Sequence, residues 1–384
     1  MPDTWLGGPQ AAARLGVKPQ TLYAYVSRGR IAARPDPEDP RKSLYRAEDV
    51  ARLQTRKARG RKAAAVASGA IAWGDPVLAS AITEVAGGRL YYRGVDAAEL
   101  ADSKTLEAVA LRLWACDDAA VFVRERRPRV RMRGPAQARA FAVLAARAGV
   151  DAPALGLSTA ALWREGASLV TDLASALGDG LAEGPLHQVL ADAWGLDPRG
   201  ADLIRRALVL LADHELNAST FAARVAASTG ASLAAALLAG LAALTGPRHG
   251  GAGARVVALI EEAERLGPEA AVRAFIARGD APPGFGQRPY PDGDPRAVAL
   301  LAAFEPPPAL LALKAAAEDQ TGEPANIDFA LAVLTRTLQL PADAPLSLFA
   351  LGRSVGWIAH ALEQLQTGEL IRPRARYVGP AASS

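Results

Sequence analysis

The sequence predicts a mostly α-helical protein in which a small helix-turn-helix module precedes a larger helical body. Three observations carry this reading. Half of the 384 residues are hydrophobic but only 5% are aromatic, so the core is built from Ala, Leu and Val, and Ala and Leu lead the helix-propensity ranking. Apolar residues recur at helical spacing along most of the chain, whereas alternating strand patterns are scarce. The charge is split: residues 1–62 carry fourteen Lys and Arg against six acids, a net +8, within a chain of net charge +4. A basic module is therefore joined to a weakly acidic body. The length exceeds what one ordinary core organises and predicts two or three domains.

In order along the chain, Ala11 to Leu15 is a short helix-forming run ended by Gly16-Val17. Pro19 stands where a first-turn proline belongs, and Gln20 to Ser27 continues as a second helix. Leu15, Val17, Leu22 and Val26 supply the small core between the two helices, which leaves Thr21, Tyr23, Ala24 and Arg28 on or near an outward face. A turn of this length joins two helices in the units that place one helix in a DNA groove. A Pro- and Asp-rich loop, Arg30 to Pro40, leads to a short extended wing at Lys42 to Tyr45. A third helix is expected over Ala47 to Gln54, and a linker from Thr55 to Ala70 contains the basic run Arg56 to Lys62. The segments AAARLGVKPQTLYAYVSRGRI and LYRAEDV resemble the MerR-like helix-turn-helix, and that resemblance implies contact with DNA.

The body reads as helix after helix. Leu106 to Trp114, Ala136 to Ala148 and Ala201 to Leu211 repeat at helical spacing, and Val256, Leu259, Ile260 and Ala263 share one helix face. Arg89 to Gly94 is an exception, an aromatic extended stretch after the Gly87-Gly88 turn. The most apolar segment, Ala231 to Leu244, is shorter than the roughly 20 residues of a bilayer span and reads as a buried core helix. No basic-then-apolar leader opens the chain, and a single cysteine, Cys116, cannot form an internal disulfide, so a cytoplasmic setting with no membrane partner is expected. Alternating βα units, a Gly-rich phosphate loop and close-spaced Cys/His ligands are missing, which argues against a nucleotide-binding sheet and a structural zinc.

The chemistry-bearing residues gather in the second half. They lie in Asp213-His214-Glu215-Leu216-Asn217-Ala218-Ser219, with the histidine read as inside a helical run, and in Gly246-Pro247-Arg248-His249-Gly250-Gly251. Further on come Gly284-Phe285-Gly286-Gln287-Arg288-Pro289-Tyr290, Asp294-Pro295-Arg296 and Asn326-Ile327-Asp328. Gly352-Arg353 to His360 and Ile371-Arg372-Pro373 complete the set. His187 and His360 are read as structural residues.

In this order and spacing the motifs resemble the citrate synthase family, from about Ile82 to Gly379. The resemblance implies a two-domain helical fold, with a large domain over 71–250 plus 331–384 and a small domain over 251–330, behind the helix-turn-helix of 1–62. It implies condensation of acetyl-CoA with oxaloacetate to citrate and CoA. In that scheme Asp328 is the general base, His249 a hydrogen-bond donor to the thioester oxygen, and His214, Arg296 and Arg353 are ligands of oxaloacetate. Arg372 crosses from a partner subunit of a homodimer, and Gly284, Phe285 and Gly286 wrap CoA. The CoA thioester is a co-substrate, and neither a metal nor another cofactor is implied.

One position departs from the family pattern: Gln287 stands where the family has a histidine that polarises the ketone. An amide can donate a hydrogen bond but cannot transfer a proton, and general-acid help is worth roughly 10²–10⁴ in rate. Three functions are compatible with this. They are a citrate synthase that turns over slowly, a 2-methylcitrate synthase or related acyl-CoA condensing enzyme, and a catalytically impaired ligand sensor that regulates transcription through its basic head.

Overall fold

The computed structural model describes residues 4–17, 19–27, 30–37, 39–51, 78–122, 133–178, 184–375 and 377–380. Two compact units divide the chain, Met1–Ala79 and Ser80–Ser384.

The first unit comprises β1 (Trp5–Gly7), α1 (Gly8–Leu15), α2 (Pro19–Ser27), β2 (Ala33–Pro35), β3 (Ser43–Arg46) and helical residues 47–51, α3. Gly16 ends α1 in the left-handed region at φ 59°, where glycine meets no Cβ penalty. Leu15 and Leu22 are buried with Leu6, Ile31, Tyr45 and Val50, and Val17 and Val26 pack against them, as their spacing predicts. Thr21 and Tyr23 face outward, Tyr23 with 62% of its surface exposed. The expected wing is β3, but it is the centre of an antiparallel sheet ordered β1-β3-β2. Neither outer strand is legible in three residues without alternation; pairing of Leu6 and Ala33 with Tyr45 makes them strands. Arg28, the linker Thr55 to Ala70 with its basic run, and the side chain of Ala24 lie outside the described residues.

The second unit opens with the antiparallel strands β4 (Thr83–Ala86), β5 (Arg89–Tyr92) and β6 (Val95–Asp96). Helices follow: α4 (Ala97–Ser103), α5 (Leu106–Trp114), α6 (Ala136–Val150), α7 (Thr159–Gly178), α8 (Leu186–Ala193), α9 (Pro198–Leu211), α10 (Ala218–Ser228) and α11 (Leu233–Leu244). Then come α12 (Gly253–Leu266), α13 (Pro268–Ala277), α14 (Pro295–Leu301), α15 (Pro308–Thr321), α16 (Ile327–Thr337) and α17 (Ala344–Thr367). Many begin on a side-chain cap that satisfies first-turn N–H groups, among them Asn217 for α10, Asp294 for α14 and Asn326 for α16. Among the described residues no helix is long and apolar enough to cross a membrane.

Two apolar cores form in this unit. The larger gathers α4 to α11, α14, one side of α16 and α17. The smaller is built by Val256, Leu259 and Ile260 of α12 with residues of α13, α15 and α16, including Phe329 and Val333. The central element is α17, buried along nearly its whole length from Ala344 to Gln364, with Arg353 and His360 among its buried polar side chains. Its small residues set the depth of contact. A Cβ on Gly352 would stand 2.8 Å from Leu211 Cβ and 2.9 Å from the Leu208 carbonyl oxygen, so α9 and α17 meet backbone to backbone. Gly240 of α11 makes room for the Trp357 ring in the same way.

Candidate active site

The close approach of α9 and α17 brings three scarce polar groups together. Arg353, 1% exposed, projects from the middle of α17 and donates from Nε to the Leu211 carbonyl at the end of α9 (2.9 Å). Its Nη2 is buried and has no hydrogen-bond partner. Burial lowers this guanidinium to about 10, the charge of Arg296 adds to the lowering, and Asp213 opposes it. It remains charged at neutral pH and holds an open donor where water is excluded. A buried donor left unpaired is costly, so the group is poised for an anion.

The chain between α9 and α10 carries His214. The sequence places this histidine within a helical run, and the structure corrects that: residues 212–217 are a non-helical connection. Glu215 adopts φ 50°, and Asn217 starts a new helix by accepting from the N–H groups of Ser219 and Thr220, both at 3.1 Å. Released from the helix, the His214 ring is buried, and its Nε2 shares a 3.0 Å hydrogen bond with the Tyr290 hydroxyl. Burial first, then the charges of Arg296, Arg353 and His249, hold it well below the usual histidine range, so it is neutral.

His249 follows the end of α11, where tight backbone packing needs glycine: a Cβ on Gly251 would lie 2.5 Å from the Thr245 carbonyl oxygen. Burial, with help from Arg353, lowers His249 to about 4. Its Nε2 lies 2.8 Å from Ser219 Oγ. Trp357 Nε1, which can only donate, points to the same oxygen at 3.2 Å. Ser219 Oγ in turn donates to Asn217 Oδ1 at 2.7 Å, the oxygen that also caps α10.

Arg296 is also buried, but its charge is answered. Asp294 caps α14 and takes both arms of the Arg296 fork, Nε at 2.9 Å and Nη2 at 2.8 Å, while its Oδ2 also accepts from Ile327 N–H. Burial disfavours the Arg296 cation, and Asp294 more than offsets this and raises it. The same aspartate therefore ties α14 to the start of α16. There Asp328 occupies the first turn, partly buried, with Asn326 accepting from its N–H (3.0 Å). Burial raises Asp328 to about 6 against the pull of Arg296 and Arg353.

Arg353 lies within electrostatic reach of His214, His249 and Asp328 alike. Five of the residues singled out from sequence thus form one group, with His214, Arg296 and Arg353 buried and His249 and Asp328 half-buried. Gly284, Phe285 and Gly286 run antiparallel to Pro324–Asn326 alongside it. Asn326 N–H donates to the Gly284 carbonyl (2.9 Å), Gly286 N–H donates to the Pro324 carbonyl (2.8 Å), and Asn326 Nδ2 donates to the Gly286 carbonyl (3.0 Å). Part of the loop's polar backbone is therefore spent inside the protein. Gly284 at φ 88° packs where a Cβ would stand 3.0 Å from Phe329 Cβ. Gln287 is partly buried, and its carbonyl accepts from Tyr290 N–H (2.8 Å), which links it to the residue that holds His214. Arg372 is exposed in the extended C-terminal segment, away from any ion pair among the described residues.

Sequence reasoning passed over Ser219, Trp357, Asp213 and His360 as site-building residues. The signal was present: Arg353, Trp357 and His360 stand at i, i+4 and i+7, the repeat of one helix face. Among the described residues no group of His, Cys, Asp and Glu side chains has metal-binding geometry. A cavity of about 460 Å³ between α6 and α7, lined by Arg147, Asp151, Arg164 and Asp172 among others, shares no residue with this site.

The family model "Citrate synthase, C-terminal domain" matches residues 160–374. The chain is similar to "Citrate synthase 2" of Bacillus subtilis, 39% identical over 194 residues that make up 48% of this chain and 52% of that protein. It is also similar to the citrate synthase of Haloferax volcanii, 39% identical over 194 residues, 47% of this chain and 50% of that protein. The chain spans about half the length of the curated relatives it matches. The crystal structure of citrate synthase from Thermotoga maritima superposes with a TM-score of 0.67 at 28% identity, covering 81% of this chain and 96% of that one.

Proposed function

The chain belongs to the citrate synthase family, and on that premise we propose that it condenses acetyl-CoA with oxaloacetate to citrate and CoA. The observation that carries the proposal is the unpaired, buried Nη2 of Arg353 within reach of a raised carboxylate and a neutral imidazole. A planar fork suits a carboxylate of oxaloacetate, and Arg296 and His214 frame the rest of the dianion. Asp328 removes a methyl proton from the thioester. A base near 6 is ionised at neutral pH yet stronger than an ordinary aspartate. The neutral His249 ring donates to the thioester oxygen as charge builds there. The carbon nucleophile attacks the ketone, Gln287 supports the resulting oxyanion through its amide, and water supplies the proton that completes the hydroxyl of citryl-CoA. Water then cleaves citryl-CoA.

In the same reading Gly284, Phe285 and Gly286 receive CoA, and residues 251–330 move as a small domain against 71–250 plus 331–384, so that closure completes the site. Arg372, exposed and free of ion pairs among the described residues, serves the site of a partner subunit in a homodimer.

Gln287→His separates the alternatives. With acetyl-CoA and oxaloacetate, the native protein is expected to release thiol slowly and the variant at least tenfold faster. Faster release from propionyl-CoA would move the assignment to 2-methylcitrate synthesis. Silence of both proteins with both thioesters would remove the enzyme reading in favour of a ligand sensor.

The first unit supports a second role, DNA binding. Its helix α2 presents Thr21 and Tyr23 to solvent, and Arg14, Arg30, Arg34, Arg41 and Lys42 are exposed around the small core. Phosphate contacts release counterions, so affinity for duplex DNA is expected to fall steeply and log-linearly with salt. A gel-shift titration checks this. Binding that is absent at 50 mM salt, or flat across salt, would leave the unit a different task.

A further inference from the structure

Two acidic side chains are buried near the pair of site arginines, and they are used differently. Asp294 quenches Arg296 through both arms of the fork. Asp213 acts on Arg353 as its principal attractive charge, yet the two share no hydrogen bond, and Arg353 Nη2 and Asp213 Oδ1 are both without partners. The reason is visible on α17. His360, one face-repeat beyond Arg353, is 0% exposed like Asp213, and its Nε2 lies 3.2 Å from Asp213 Oδ2. Asp213 Oδ1 is turned toward Gly356, where any Cβ would collide with it and with the Ala212 carbonyl oxygen. Thr83 also faces this carboxylate. The Tyr92 hydroxyl fixes the backbone, accepting from Asp213 N–H and lying 3.3 Å from its carbonyl oxygen.

We propose that His360 is a positioning residue that draws the Asp213 carboxylate away from Arg353, so that Asp213 balances the guanidinium's charge without occupying it and the Nη2 donor stays open to an incoming carboxylate. Paired directly, Arg353 would become as quenched as Arg296. The identity of that incoming group as oxaloacetate rests on the function proposed above; the diversion of Asp213 does not.

His360→Leu removes the competing partner. Asp213 is then expected to turn to Arg353, raising the oxaloacetate KM at least tenfold while kcat at saturation stays within about threefold. Adding Asp213→Asn to His360→Leu removes the competing charge and is expected to restore KM toward the native value. A merely structural role for the pair predicts the opposite, further damage from the second change. His360→Gln keeps a donor for Asp213 and should behave like the native protein, which controls for misfolding. A crystal structure of His360→Leu reads the diversion without any substrate. An Asp213 oxygen within 3.2 Å of Arg353 supports the proposal, and an Asp213 that keeps its native position overturns it even if thiol release is normal. If the native protein releases no thiol but Asp213 moves as expected, the function reading fails and the positioning role stands.

Discussion

Asp328→Asn is expected to lower kcat for thiol release from acetyl-CoA by roughly 10²–10⁴, the span of general-base contributions, while leaving the helical fold intact. The amide fills the same space at the N-terminus of α16 and keeps the Asn326 cap, which bonds the backbone rather than the carboxyl. What it cannot do is accept a proton. The native pH profile is tied to the same group. Burial raises Asp328 to about 6, so the basic form is lost as pH falls through that value, and kcat/KM should drop on the acid side with a midpoint near 6. Histidine cannot supply this limb, because His249 titrates near 4 and His214 lies well below its usual range. A second consequence concerns stability. A carboxylate raised in the folded state favours folding while protonated, and that contribution is lost as pH rises through the folded value. Between 3.8 and about 6 the difference corresponds to on the order of 3 kcal/mol. Asp328→Asn should therefore be more stable than the native protein at pH 8, with the gap closing toward pH 4 in urea titrations. A variant that keeps more than a tenth of native turnover would remove Asp328 from its assigned role.

Arg353→Met is expected to raise the oxaloacetate KM by about 10²–10³, because truncating one partner of a buried charge pair costs on the order of 2–5 kcal/mol of binding. The ligand-free protein is expected to lose stability as well, because Asp213 then keeps a buried charge without its guanidinium. Arg353 keeps its charge in a buried position that lowers it to about 10 and leaves Nη2 unpaired. The check is thermal unfolding with and without oxaloacetate. The native midpoint should rise with ligand as binding to the folded state demands, and the variant midpoint should start lower and fail to move. A variant midpoint that still rises with oxaloacetate as the native one does would remove Arg353 from its assigned role.

Much of the site was legible in the chain because its residue types are rare and its motifs are local. Asn326-Ile327-Asp328 reads as a capped helix start, and the structure has Asn326 as the cap of α16 with Asp328 in its first turn. Leu106 to Trp114 coincides with α5, and the apolar run ending at Leu244 is the buried α11. Composition and 3.6-residue periodicity suffice for such elements, since each helix closes its hydrogen bonds within a few residues.

Partnerships between distant segments were not legible. The histidine of Asp213-His214-Glu215 sits in a non-helical connection because Asn217 starts a new helix and Tyr92, more than a hundred residues earlier, grips the backbone of Asp213. Arg296 and Arg353 look alike as sequence; one is quenched by Asp294 two residues away, and the other stays open because His360 holds Asp213. The amino-acid order by itself determined the helical class, the candidate residues and the break in pattern at Gln287. Tertiary structure alone decided which charges are spent and which remain available. That follows from burial: a side chain's proton affinity and its partners depend on which distant groups share its water-free surroundings, and no local pattern encodes them.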